Sequence, residues 1–229
     1  MKRYDLINAL INKYKYKNYL EIGVRDNRCF NKIKIKDKRG VDPMQDEWEN
    51  EMREDWDSSK VPVKYRMTSD EYFKKHNVKY DIIFIDGLHE NEQVYRDVKN
   101  SLKCLNKNGS IVMHDCLPLK EEHQIVPRKS NYWNGDVWKA FVRLRNERKD
   151  VKMSVIDTDC GLGFIQFDNL KEPAIKGKIK LNWRNFVKNK EEWMNIKSIS
   201  KIANELGTEH FETKRVQSFL HSGSLGDVI

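Results

Sequence analysis

The sequence predicts an α/β fold built on a mostly parallel sheet, and three observations carry that prediction. Tyr80–Ile85 is a near-continuous apolar run, the pattern of a central parallel strand covered on both faces. Val94, Val98, Leu102 and Leu105 then recur at helical spacing, and after Asn108-Gly109 a second apolar strand follows at Ser110–Met113. Both strands end in acid and imidazole groups: Asp86 and His89 after the first, His114 and Asp115 after the second. In open α/β sheets ligands bind at the carboxyl edge, so the chain places its reactive groups where the fold places its crevice.

The other elements follow in order. Leu6, Ile7, Leu10, Ile11 and Tyr14 are spaced as a first helix. Tyr19–Ile22 is a short apolar strand that stops at Gly23, and Arg39–Val41 is another, closed by Asp42-Pro43. Asn27–Lys36 between them reads as a short helix, completing a β-α-β unit. Asp46–Asp57 is acidic and rich in Trp, a helix or loop over the sheet edge. Val63–Met67 is a third strand, with Thr68 or Ser69 as cap and acidic residues in the first turn of the next helix. The Cys116–Asn134 segment has no clear period and is long for a connection in a compact domain, which points to a lid over an acceptor. Asp136–Arg148 is helical, Lys152–Ile156 and Leu162–Phe167 form a hairpin, and a helical tail from Leu181 carries the packing anchors Trp183, Phe186 and Trp193.

With 229 residues the chain suits one generous domain, or one domain with an appendage. The net charge of +8 arises from Lys and Arg interleaved with Asp and Glu, so it reads as a solvated basic surface and nucleic acid is not the expected partner. Cys29, Cys104, Cys116 and Cys160 form no C-x-x-C pair, which indicates neither a zinc site nor a redox motif. The N-terminus leads directly into an amphipathic helix, and no long apolar run exists; a reducing, cytoplasmic location without a membrane span is the expectation.

Glu21-Ile22-Gly23 joins a strand to a turn at which a ligand can approach the backbone closely. Asp42 closes the next strand, where a carboxylate can take both ribose hydroxyls, and Asp70 follows the third. The full glycine fingerprint for a pyrophosphate is missing, since Arg25 and Asn27 stand in its place. That fits a nucleoside ligand without phosphate.

These segments resemble class I S-adenosylmethionine-dependent methyltransferases. Y-L-E-I-G-V resembles the first cofactor motif, G-V-D-P the motif with the ribose-binding acid, and T-S-D-E-Y-F the adenine-contacting segment. F-I-D-G-L-H, N-G-S-I-V-M-H-D, N-G-D-V-W-K-A-F and D-C-G-L-G-F-I resemble the subfamily of macrocin-type O-methyltransferases and cephalosporin hydroxylase-like proteins. The resemblance covers roughly residues 1–168. It implies a doubly wound, Rossmann-like seven-stranded sheet with an antiparallel last strand, S-adenosylmethionine as cofactor, and Glu21, Gly23, Asp42, Asp70 and Asp86 on the cofactor side. Residues 169–215 are then a helical extension.

Asp86, His89, His114 and Asp115 make a second site. Two carboxylates and two imidazoles at adjacent strand ends can hold a hard divalent ion, magnesium or manganese, on Asp86 and Asp115. His89 or His114 can instead act as a general base, and a structural role for His114 is the third alternative. Val216–Leu220 followed by H-S-G-S-L-G-D-V-I resembles the opening of GT-B glycosyltransferases, so residues 216–229 read as the start of a truncated or fused glycosyltransferase domain. The expected activity is therefore O-methylation of a sugar or glycan hydroxyl. The alternatives are a small-molecule O- or N-methyltransferase of secondary metabolism and a non-catalytic basic module that binds nucleic acid.

Overall fold

The computed structural model describes residues 1–43, 63–167, 175 and 177–207. The expected helix or loop at Asp46–Asp57 and the C-terminal His221–Ile229 lie outside the described residues. The elements are α1 (Arg3–Tyr14), β1 (Asn18–Ile22), β2 (Asp37–Asp42), β3 (Val63–Arg66), α2 (Ser69–Lys75), β4 (Tyr80–Ile85), α3 (Asn91–Cys104), β5 (Leu105–Met113), α4 (Val137–Glu147), β6 (Val151–Ile156), β7 (Leu162–Phe167), α5 (Trp183–Met194), β8 (Ile196–Lys197) and α6 (Ile199–Leu206).

The strands form one sheet in the order β3-β2-β1-β4-β5-β7-β6-β8. β7 pairs antiparallel with both β5 and β6, and every other pairing is parallel. This is the expected Rossmann-like sheet, with the two-residue β8 as an additional edge strand. Side chains alternate across it and are buried on both faces. Ile83, Ile85, Ile111 and Met113 pack under α2, α3, α4 and α5, while Ile82, Phe84 and Val112 pack under α1 and α6. Such two-sided burial explains the unbroken apolar runs in the sequence.

Local chemistry sets several boundaries. Thr68 caps α2: its hydroxyl accepts from the Glu71 amide at 3.2 Å while Glu71 Oε2 accepts from the Thr68 amide at 2.9 Å. The Trp183, Phe186 and Trp193 anchors of α5 act in packing. Trp138 of α4 is fully buried, with Phe186 at 4.5 Å and Trp193 at 6.4 Å between ring centroids.

Two expectations are corrected. Asn27–Lys36 is not a helix; it holds only a 3-10 turn at Phe30–Lys32. Arg25 and Asn27 take left-handed conformations (φ 47° and 63°), and the Lys32–Ile35 alternation gives no helical apolar face. The helix after β4 ends at Cys104 rather than at Asn108-Gly109. Leu105 is drawn into the sheet opposite Tyr80 and is buried there, so β5 begins earlier than its apolar run.

The Trp138 cluster should dominate the attachment of α5. Trp138→Ala should cost about 3–5 kcal/mol of unfolding free energy, whereas Val187→Ala on the exposed face of α5 should stay within about 0.5 kcal/mol. Urea denaturation of the two variants checks this; equal losses would contradict the packing assigned to α5.

Candidate active site at the carboxyl edge

The crevice lies where β1, β4 and β5 end side by side. The last ladder bonds run into it: Gly23 N donates to Val41 O at 2.8 Å, Asp86 N to Ile22 O at 2.8 Å, and His114 N to Ile85 O at 3.0 Å. Gly23 has φ +85°, and a Cβ there would sit 2.2 Å from the Asp86 carbonyl oxygen. No other residue fits this turn. Gly23 therefore brings the β1 loop against the end of β4.

Asp86, His89, His114 and Asp115 come together as the sequence suggested. His114 Nδ1 lies 2.7 Å from Asp115 Oδ2 and 3.2 Å from Asp86 Oδ1, so one imidazole edge faces both carboxylates. His89 faces the same pair, with Nε2 at 3.4 Å from Asp86 and Nδ1 at 3.3 Å from Asp115. Oδ1 of Asp115 accepts from Asn134 Nδ2 at 2.8 Å. Asp86, His89 and Asp115 each offer a donor atom within 4.8 Å of the others, a spacing that fits a divalent ion.

The electrostatics follow from this crowding. Burial opposes a charge on His114, but Asp86 and Asp115 outweigh it and hold its pKa up at about 10. Burial likewise opposes charge on His89, yet the hydrogen bond to Asp86 and the charge of Asp115 raise its pKa above the ordinary imidazole value. Asp86 is also pushed up by burial, but His114, His89 and Arg3 more than reverse this and hold it well below the usual carboxylate range.

Arg3, Asp159 and Asn134 were missed by sequence reasoning. An Arg3 guanidinium N–H donates to Asp86 Oδ2, and the Arg3 backbone N and Nε both donate to Asp159 Oδ2, at 2.9 and 3.1 Å. Arg3 thus ties the start of α1 to the end of β4 and to the β6–β7 turn. No local pattern announces this, because the partners lie 83 and 156 positions away. Asn134 had one usable signal, its place just before Gly135. That glycine has φ +62°, and a Cβ there would sit 1.8 Å from the His89 carbonyl oxygen, so the end of the long loop is pressed against the site.

The cofactor-side residues are more dispersed. Asp42 ends β2 and accepts from the Arg25 amide at 2.8 Å across the β1 loop. Glu21 lies beneath the crevice floor, almost fully buried, with the Tyr19 hydroxyl donating to it. Burial pushes the Glu21 carboxyl up to about 8, against the hydrogen bond from Tyr19, so it is neutral at pH 7. Asp70 sits half-exposed in the first turn of α2, 3.3 Å from Arg96. The Cys116–Asn134 loop lies against the cluster: the Trp133 indole stacks on His89 with centroids 5.2 Å apart, and the Tyr132 hydroxyl is 2.9 Å from Cys160 Sγ.

Fold and sequence both resemble one class, the methyltransferase domain on a Rossmann-like sheet. Residues 28–116 match a family model described as a methyltransferase domain. Solved structures share the fold. An S-adenosylhomocysteine-bound methyltransferase from Podospora anserina is 17% identical, with a TM-score of 0.59 over 73% of this chain and 78% of that one. An O-methyltransferase from Bacillus cereus in complex with S-adenosylhomocysteine is 16% identical, with a TM-score of 0.54 over 71% and 78%. The O-methyltransferase TomG from Streptomyces achromogenes, involved in tomaymycin synthesis and complexed with S-adenosylmethionine, is 12% identical, with a TM-score of 0.53 over 72% and 79%. No curated protein matches the sequence significantly. Among the described residues, no helix is long and apolar enough to cross a membrane.

The His114 pKa gives a pH prediction. A group whose pKa is raised on folding contributes stability fully present below its unfolded pKa, about 6.5. That stability is lost as the pH rises through the folded value of about 10. Glu21 adds a loss of the same sign, complete near its folded value of about 8. His114→Asn removes the first contribution and leaves the second. Unfolding free energy should therefore fall more steeply from pH 6 to pH 10 in the native protein than in the variant. Parallel pH profiles in the two proteins would contradict a charged His114.

Proposed function

We propose that this protein is an S-adenosylmethionine-dependent O-methyltransferase of the macrocin and cephalosporin hydroxylase-like subfamily, acting in the cytoplasm on a hydroxyl of a sugar or glycan. One observation carries the catalytic reading: the glycine turn at Gly23 lies against the strand end that bears Asp86, and the His89–His114–Asp115 cluster adjoins it. The sugar acceptor and the glycosyltransferase partner rest on the H-S-G-S-L-G-D-V-I sequence, and the subfamily on F-I-D-G-L-H and N-G-S-I-V-M-H-D.

The residues fit the nucleoside. Asp42, which ends β2 beside the β1 loop, is assigned to the ribose hydroxyls, and Asp70, in the first turn of α2, to the adenine side. When bound, S-adenosylmethionine supplies a methyl group already activated by its sulfonium, so the protein's task is alignment and removal of the acceptor proton. His89 is the base. Asp86 orients its ring from the Nε2 side, while Nδ1, 3.3 Å from Asp115 Oδ2, makes no hydrogen bond among the described residues. His114 is charged at neutral pH and serves as a fixed cation between Asp86 and Asp115. Trp133 covers His89, so the 116–134 loop gives way when the acceptor enters.

A second reading is favoured by the convergence of Asp86, His89 and Asp115. A magnesium or manganese ion held by these three would lower the pKa of the acceptor hydroxyl.

Calorimetry with S-adenosylhomocysteine tests the cofactor. Asp42→Ala should weaken binding by about 1–3 kcal/mol, from ribose hydroxyls left without a partner. Unchanged affinity in a folded variant would remove Asp42 from the site.

A methylation assay over a panel of saccharides, catechols and RNA tests the acceptor and the base together. Saccharides should be preferred, and turnover should survive exhaustive EDTA and rise with pH as His89 loses its proton. Loss with EDTA and recovery with magnesium or manganese would transfer proton removal to the ion. Preference for catechols or RNA would overturn the glycan assignment.

A further inference from the structure

We propose that the rim of the crevice is a docking surface for an anionic membrane, which the protein meets peripherally. Among the described residues six large hydrophobic side chains are exposed, and four of them, Leu88, Leu119, Val126 and Tyr132, lie on the two loops that border the His89 cluster. Leu119 is 74% exposed and Leu88 52%. Single exposed apolar residues are ordinary on a protein surface; their concentration on one rim is not.

The rim is held together through Trp133. Its indole stacks on His89, the neighbour of Leu88, with centroids 5.2 Å apart. Its Nε1 donates to Ile125 O at 2.7 Å, which fixes the backbone beside Val126. Tyr132 precedes it in the chain, and the Tyr132 ring lies against His123 with centroids 4.6 Å apart. The His123 amide in turn donates to Lys120 O at 3.1 Å, next to Leu119. The exposed groups therefore belong to one patch on a fixed frame rather than to separate loop tips.

Charge selects the occupant. Each exposed aliphatic of the 116–134 loop is followed by cations: Leu119 by Lys120, and Val126 by Pro127, Arg128 and Lys129. All three cations are exposed. An apolar side chain can enter the acyl boundary while a neighbouring Lys or Arg stays at the phosphates, and a tyrosine suits the layer between. Lysines beside the anchors fit this better than a protein interface, whose core is depleted of lysine. Glu121 and Glu122 stand on the 3-10 turn Glu121–Gln124 between the two basic ends, and Glu122 is 3.8 Å from Lys120. They limit the attraction, so the aliphatic anchors supply most of the binding. A bilayer at this rim covers the crevice mouth, and an acceptor hydroxyl carried on a membrane lipid then reaches His89 from the bilayer surface. That consequence rests on the proposed reaction; the docking does not.

Co-sedimentation of the whole protein with phosphatidylcholine vesicles, with and without phosphatidylglycerol, tests the surface. The protein should partition into the vesicles that contain phosphatidylglycerol, and several-fold less into the neutral ones. Leu88→Ser combined with Leu119→Ser should lower the partition about tenfold. Both leucines are exposed, so the core is left intact. Val187→Ser on α5, 52% exposed like Leu88, should leave the partition unchanged. No partition into either vesicle, equal partition into both, or an undiminished partition in the double variant would overturn the surface whether or not the protein methylates anything. A dimer that dissociates in the double variant while the vesicles stay bare would overturn it too, because the rim would then belong to a second copy of the chain.

Discussion

Two carboxyl groups brought together at neighbouring strand ends, both largely shielded from solvent, repel each other unless cations are supplied, and the rest of the site is arranged around that need. Asp86 and Asp115 share the His114 imidazolium, and Asp86 also takes the Arg3 guanidinium. Each partner comes from a different element, so the ionic cluster joins β4, β5 and the start of α1. Asp159 extends it to the β6–β7 turn. The sheet explains why the carboxylates meet; the ions explain why the periphery closes over them.

This division accounts for what could be read from the chain. The strands of the central sheet are buried on both faces, so their apolar runs were visible and their ends could be located. Asp86, His89, His114 and Asp115 were found because each follows such a run directly. Arg3, Asp159 and Asn134 follow no run, and their contribution arises only when remote segments pack. The misread Asn27–Lys36 helix has a different origin. A parallel crossover usually contains a helix, but here left-handed residues at Arg25 and Asn27 start the connection and only a short 3-10 turn fits.

Glu21 illustrates how position in sequence and position in space part company. An acid at the end of β1 reads as a ligand-binding group, yet the pleat turns its side chain to the α1 face, under the crevice floor. Burial keeps it protonated near neutrality, where it serves the packing around Tyr19. Two residues further on, the strand runs out into Gly23, where the absence of any side chain matters most.

The strand order also dictates a schedule. β7 is made after β6 but lies between β5 and β6, so the earlier strands must leave a slot open until it arrives. The turn that precedes β7 carries Asp159, which means that Arg3, among the first residues synthesised, waits for a partner 156 positions downstream. Contacts of such span close slowly, because the intervening chain must be ordered before they repay its entropy. The electrostatic character of the crevice therefore depends on the two ends of the domain meeting, since Arg3 reaches Asp159 only where the β6–β7 turn is in place.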